Sequence, residues 1–495
     1  MTNGGSKLDW AETLILLSPQ LILVVWALLV LGLDLLVTKA KDSLAYLALA
    51  GLAPALGAAV YLLLQRTGQS LLSGMVQVDA YSLYFTVIAC LASGLVILAS
   101  MEYMKARTRY RGEFYGLLLL ATLAMTLMAA STNLIMIYLS IEFMSLTSYV
   151  LVGYFRDDPK SSEGGLKYFL FGAVTSSLML YGMSLMYGAT GTTDLAEIAT
   201  NLAAMHATMP PMRWLILPAI LFMLAGFSFK MALVPFHQWS PDAYEGAPTP
   251  VATLLSVGPK AMGFSILLRV LITAVPLFQF DWVAILMGIS LVTMTLGNLT
   301  AMRQTNIKRM LAYSSIAQAG YVLVGLVSLV PSSIGIQGVL LYLMAYLFTN
   351  AGAFIAVIAF SHVTNSDEIA DYAGLVRRAP ALAAVMVVFF MSLAGLPPTA
   401  GFVGKLLVFG AAVQAGYYYL AIVGVVNSVI SVVYYFNVVR QMFFLPPTVE
   451  GRLSLPRFPM AAVIICVVLV LLIGLYPQPL IDLVSQSVTL LAVIP

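Results

Sequence analysis

Apolar runs recur along this chain from end to end, and each is long enough, at about 20 residues, to cross roughly 30 Å of hydrocarbon. Read by hydropathy, they predict fourteen helices at about 12–36, 43–64, 79–101, 113–130, 133–155, 164–188, 213–237, 248–274, 280–302, 309–330, 334–361, 380–411, 413–440 and 457–479. Backbone facing lipid must satisfy its own hydrogen bonds, which leaves helices or closed barrels. These runs are far longer than barrel strands. The expectation is an all-α polytopic membrane protein. The first run is too long for a signal peptide and follows acidic residues, so it reads as the first span and not as a cleaved leader. The segment 190–210 spaces Leu195, Ile198, Leu202 and Met205 at helical intervals, which predicts a short surface helix covering the bundle.

Composition agrees. Of 495 residues, 61% are hydrophobic and 9% charged, and the mean hydropathy of +0.97 lies outside the range of soluble domains. Lysine and arginine collect in cytoplasmic loops. With both termini placed outside, the odd-numbered loops hold Lys39, Lys41, Lys105, Arg107, Arg109, Arg111, Arg156, Lys160 and Lys167, and further on Arg303, Lys308, Arg309, Arg377, Arg378, Arg440, Arg452 and Arg457. The even-numbered loops offer Arg66 and Arg213. The net charge of +3 is therefore a topology signal, with no nucleic-acid partner implied. Cys90 and Cys466 sit far apart inside apolar runs, and His206, His237 and His362 lack metal-ligand spacing. No phosphate loop or dinucleotide fingerprint is present, so no redox cofactor is expected in this chain.

A few ionisable residues stand deep in apolar sequence: Glu142, Lys230, Lys260 and Lys405. A charge at the bilayer centre costs on the order of 2.5–3.5 kcal/mol on insertion scales, so such residues normally face protein or water and mark ion pathways. One glutamate can lock one lysine in place. Three lysines against one glutamate exceed what static pairing explains. Burial disfavours a charged amine and a nearby carboxylate favours it, so moving the carboxylate switches a lysine between holding and releasing a proton. Arginine, which does not deprotonate, would not serve.

Prolines cluster at the same places. Pro235 follows Lys230, Pro259 precedes Lys260, and Pro397 and Pro398 stand ahead of Lys405. Helix-interior proline kinks or breaks a helix, and broken helices at membrane depth line cavities. The stretches 224–230 and 393–405 share Leu-Ala-Gly and end in Gly-Phe-x-x-Lys. They fall in spans 7 and 12, five spans apart, which suggests two inverted five-helix repeats, spans 4–8 and 9–13. The corresponding divisions are 1–112 (spans 1–3), 113–274 (first repeat), 275–440 (second repeat) and 441–495 (span 14).

These motifs resemble the antiporter-like membrane subunits of respiratory complex I, which are related to subunits of multisubunit sodium/proton antiporters. "FKMALVPFHQWSPDAYEGAPTPV" (229–251), "NIKRMLAYSSIAQAGY" (306–321), "EGGLKYFLFGAVTSSLMLYG", "YGATGTTDL", "DYAGLVRRAP" and "SLAGLPPTAGFVGK" carry the resemblance over roughly residues 80–440. It implies that Glu142 on span 5 pairs with Lys230 on broken span 7, that Lys260 is the central relay, and that Lys405 on broken span 12 is the exit-side base. It also makes Lys167 a functional lysine, where a snorkelling role reads equally well. His237 either relays protons near Lys230 or fixes its loop. Some members carry a histidine or lysine in span 11; "LYLMAYLFTNAGAFIAV" (341–357) has neither. That leaves water and groups such as Tyr342, Tyr346 and Thr349 to join Lys260 to Lys405. A glutamate at position 405, or a long amphipathic extension after span 14, would indicate other members.

The resemblance implies a proton-translocating subunit of an NADH-quinone oxidoreductase in a bacterial plasma membrane. NADH, FMN, iron–sulphur clusters and quinone would belong to partner subunits, and the other membrane-arm subunits and the lipid bilayer would be its surroundings. Two rivals stand beside it: a subunit of a multisubunit cation/proton antiporter, and a membrane scaffold whose buried charges only hold helices together.

Overall fold

The computed structural model describes residues 10–37, 41–65, 68–208, 213–329, 334–447 and 449–488; Lys39 and Arg66, counted above for topology, lie outside them. The chain opens with α1 (Trp10–Leu16), α2 (Ser18–Leu36) and α3 (Ser43–Leu64), then a small antiparallel hairpin of β1 (Gln69–Leu71) and β2 (Val76–Val78). Next come α4 (Ala80–Arg107), α5 (Arg111–Ala130), α6 (Leu134–Val152), α7 (Pro159–Thr190), α8 (Leu195–Thr208), α9 (Arg213–Met231), α10 (Trp239–Gly246) and α11 (Thr249–Thr273). The remainder is α12 (Gln279–Ala301), α13 (Ile307–Val327), α14 (Ile334–Thr364), α15 (Leu375–Arg378), α16 (Pro380–Ala394), α17 (Ala400–Gln414), α18 (Tyr418–Phe444), α19 (Arg457–Leu475) and α20 (Gln478–Val488). Thirteen helices among the described residues are long and apolar enough to cross a membrane. The shorter α16 and α17, laid end to end, make the fourteenth crossing expected from hydropathy.

Local chemistry sets the helix ends. Asp79 caps α4 by accepting from Ser82 N at 2.7 Å, while Ser82 answers the Asp79 backbone. Asn133, Asp158 and Asn306 cap α6, α7 and α13 in the same way. Pro380 takes the first turn of α16, where its missing N–H costs nothing. Gly395, at φ +84°, turns the chain out of that helix.

The layering follows burial. α11 and α14 are wholly enclosed and α13 almost so, while α2, α3, α6, α7, α12, α18 and α19 turn an apolar face outward. The surface helix expected near residue 200 is α8, with Leu195, Ile198 and Leu202 buried beneath it.

Two of the three proline sites interrupt a span. After α9 the chain leaves helical geometry at Ala232 (φ +56°) and resumes at α10. Between α16 and α17 the break runs through residues 395–399. Pro259, by contrast, sits within an unbroken α11: proline removes one backbone bond, and close packing on every side holds the helix through it. The two Gly-Phe-x-x-Lys stretches also differ in setting, since Lys230 precedes its break and Lys405 follows its own.

Candidate functional site

Near the first residues of α7, α11 and α13, α10 gathers charge. Asp242 accepts from Lys167 at 2.7 Å and from Arg309 at 2.7 Å. Glu245 accepts from Arg309 at 2.9 Å and from Lys160 at 2.9 Å, and Glu163 reaches Lys167 at 2.7 Å. Partial burial opposes both α10 carboxylates, yet hydrogen bonds from these bases outweigh it and hold Asp242 and Glu245 below their usual pKa. Lys167 thus belongs to an ion network at this end. Beside the network is a cavity of about 720 Å³ lined among others by Tyr103, Arg107, Glu113, Asp158, Lys308 and Asp367. Several of the basic loops assigned to one side therefore share one end of the bundle.

His237 lies in the loop between α9 and α10, partly buried, with Nδ1 lacking a hydrogen-bond partner among the described residues. A histidine with a ring nitrogen left unpaired has the chemistry to take up or give a proton near neutral pH.

Lys230 ends α9, where the negative end of the helix dipole favours a cation. It is 2% exposed, and its Nζ has no hydrogen-bond partner among the described residues. The rings of Tyr168 and Phe229 each lie 5.9 Å away. Glu142 makes no ion pair with Lys230; its carboxylate instead accepts from Ser176 Oγ. The buried hydroxyls of Tyr149 and Tyr168 have no hydrogen-bond partner among the described residues either. Buried polar atoms in that state are ordinarily met by water.

Lys260 is 2% exposed. Its Nζ donates to Ser315 Oγ at 2.6 Å and sits 5.9 Å from the Tyr244 ring. Lys405 is 4% exposed and crosses its own break: Nζ donates to Leu393 O at 2.9 Å, Ala394 O at 3.0 Å and Ser428 Oγ at 2.8 Å. Those carbonyls close α16, so the ammonium neutralises the negative end of a half-helix. The Tyr321 ring is 4.4 Å away.

One face of α13 joins the last two lysines. Ser315 holds Lys260; one turn on, Gln318 Nε2 donates at 2.8 Å to Leu393 O, the carbonyl that Lys405 also binds. Gln318 Oε1 accepts from Tyr342, and Ser314 shares a hydrogen bond with Tyr435. Of the connecting groups expected from sequence, Tyr342 is in this line and Tyr346 lies beside Ser315. Thr349 turns away to Ser392 at 2.8 Å. Ser314, Ser315, Gln318 and Ser428 were not singled out by sequence reasoning, although the run "SSIAQ" inside an apolar helix was a readable signal.

A second buried charge pair also escaped that reasoning. Arg269 grips Asp79 through two hydrogen bonds of 3.0 Å, both side chains being under 5% exposed. Among the described residues no three His, Cys, Asp or Glu side chains gather as a metal site would require.

Comparison with known proteins adds a frame to this geometry. Residues 131–431 match the family model described as NADH:quinone oxidoreductase/Mrp antiporter, transmembrane. A relative from Trichlorobacter lovleyi, named NADH-quinone oxidoreductase subunit N, is 44% identical over 96% of each chain. A chain of respiratory complex I from Thermus thermophilus with bound aureothin, 33% identical, superposes with a TM-score of 0.77 over 94% of this chain and 98% of its own. A chain of the Mrp complex from Dietzia, 22% identical, superposes at 0.86 over 98% of each and speaks for the fold alone.

Proposed function

The chain belongs to the NADH:quinone oxidoreductase/Mrp antiporter membrane family and, within it, to subunit N of NADH-quinone oxidoreductase, and from that premise we propose how it works. It is a proton-translocating subunit of the membrane arm of complex I, seated among the other membrane-arm subunits. NADH, FMN, iron–sulphur clusters and quinone belong to partner chains. Redox chemistry there alters charge along the arm, and the field of Glu142 on Lys230 changes. Lys260 and then Lys405 gain and lose protons in turn, through Ser315, Gln318, Tyr342 and water. Lys167 and His237 serve the cytoplasmic mouth, with the basic loops inside the cell and both termini outside a bacterial plasma membrane. Spans 4–8 (113–274) and 9–13 (275–440) act as two inverted half-channels between spans 1–3 (1–112) and span 14 (441–495).

The observation that carries this reading is a contrast. Among the described residues, Lys230, Lys260 and Lys405 are buried without any carboxylate inside 4.0 Å, whereas Arg269, equally buried, has Asp79 at 3.0 Å. A base kept for structure is paired, because an uncompensated buried ammonium costs several kcal/mol. A base kept for proton transfer must be able to lose its charge where it sits.

Lys230→Met and Lys260→Met in the assembled complex test it. Normal assembly with proton pumping reduced at least roughly tenfold is expected, since each removes an obligatory carrier. Pumping intact with weakened assembly would return the scaffold reading. Sodium-dependent proton exchange by the chain without its redox partners would favour the antiporter.

A further inference from the structure

Asn350 lies in the middle of α14, 0% exposed, and neither atom of its amide has a hydrogen-bond partner among the described residues. Leaving a donor and an acceptor unmet in a protein interior costs about 1–3 kcal/mol each, so such a residue demands an explanation. Its neighbours on the helix show where it points. Tyr346, Asn350 and Phe354 are four residues apart in turn, on one face of α14. The Tyr346 phenol lies beside Ser315, which binds Lys260 Nζ at 2.6 Å. The Phe354 ring packs 6.0 Å from Tyr244, whose own ring is 5.9 Å from Lys260 Nζ. Asn350 is bracketed by two side chains that both reach the surroundings of Lys260. Thr349 and Gly352 meet Ser392, Phe389 and Cys466 on other sides of the helix.

The hydroxyls of Tyr244 and Tyr346 are also buried without hydrogen-bond partners among the described residues. Three polar side chains on two helices, α10 and α14, are thus buried without hydrogen-bond partners among the described residues, and the ring of one of them, Tyr244, stands 5.9 Å from Lys260 Nζ. Beside Lys260 on α11, the titratable groups on helices packed against that helix include Lys230 on α9, Tyr244 on α10, Tyr346 on α14, Tyr81 on α4 and Glu142 on α6. α13 contributes the neutral Ser315, and α4 directs Tyr84 elsewhere, onto Leu340 O at 2.9 Å. Asp242 and Glu245 on α10 are held at its ion network.

We propose that Asn350 is a positioning residue for Lys260, its amide fixing a water that links Tyr244 and Tyr346 to the Lys260 amine and holds the lysine ready to take up a proton. The inference rests on the reading of Lys260 as a proton carrier and adds to it a residue not assigned there. A neutral amide suits this role because it donates and accepts at once, so it can orient water beside the amine in either charge state without trapping the proton as a carboxylate would. Hydrogen bonding of that water to the ammonium favours the charged form.

The test uses assembled complex in proteoliposomes, comparing Asn350→Ser with Asn350→Ala, which remove similar volume but differ in one polar group. With Asn350→Ala, coupled pumping should fall roughly tenfold, the size of one lost buried hydrogen bond. The alkaline limb of its pH profile should move about one unit toward acid, because the lysine now holds its proton only at lower pH. Asn350→Ser should keep pumping within about twofold and leave that limb in place. Equal behaviour of the two variants, whether both normal, both impaired or both unassembled, would overturn the proposal and leave Asn350 a packing residue. Loss of pumping in Lys260→Met, measured alongside, keeps the reading of Lys260 separate: if that variant pumps normally, the underlying reading fails first.

Discussion

Arg269 and Asp79 face each other squarely, two parallel hydrogen bonds of 3.0 Å joining guanidinium to carboxylate in the interior, with the Tyr81 ring 4.9 Å from the guanidinium carbon. The pair ties α11 to the cap of α4. Arg269→Met strands the carboxylate, which costs about 3–5 kcal/mol. The expected result is a lowered thermal midpoint and poor incorporation into the complex, with the pumping ratio of whatever assembles unchanged. Full assembly with lost pumping would instead put this pair in the proton path.

Gln318 is the joint between Lys260 and Lys405. Gln318→Leu keeps the volume, removes the 2.8 Å bond to Leu393 O, and leaves the Tyr342 hydroxyl buried without its acceptor, a cost of about 1–3 kcal/mol. Coupled turnover measured in proteoliposomes should drop roughly tenfold while the subunit still assembles. Turnover at the original level would remove Gln318 from the line.

Gly395 closes α16 in the left-handed region, at φ +84°, and a Cβ there would lie 2.6 Å from Lys405 Cδ. Gly395→Ala therefore meets backbone strain of about 1–3 kcal/mol and pushes Lys405 from its carbonyl seat. Pumping should fall together with thermal stability. A variant structure with Lys405 still bound to Leu393 O and Ala394 O would contradict this.

The α10 carboxylates give a pH dependence of definite sign. Their folded pKa values are depressed by Lys167, Lys160 and Arg309, so their stabilisation is fully present above the ordinary carboxylate pKa and is lost as pH falls through the folded values. Allowing for solvent screening, Asp242→Asn should cost about 1 kcal/mol at neutral pH. Its thermal midpoint should approach that of the unsubstituted protein as pH drops below about 4. A constant difference down to the lowest pH would show that the ion network contributes nothing.

Hydropathy made the span count legible because burying about 20 apolar residues in lipid is decided locally, residue by residue. The interruptions in spans 7 and 12 were legible for the same reason, proline and glycine acting on their own backbone, though Pro259 shows that packing can carry a helix through. Lys230, Lys260 and Lys405 stood out because charge in apolar sequence is costly wherever it falls. Ser315, Gln318 and Asn350 did not, since neutral polar side chains are cheap enough in a helix to pass unnoticed until their partners are known. Asp79 and Arg269 hid at span ends, where charges look like loop residues.

By itself, then, the order of residues along this chain determined how many helices cross the bilayer, where two of them break and which bases are buried. Only the tertiary structure decided that Glu142 binds Ser176 and leaves Lys230 without an ion pair, and that α13 carries the line between the two later lysines. The physical reason is range: insertion and breakage depend on neighbours in sequence, whereas hydrogen bonds a few ångströms long join residues far apart in the chain, 55 positions between Lys260 and Ser315, and only packing brings those ends together.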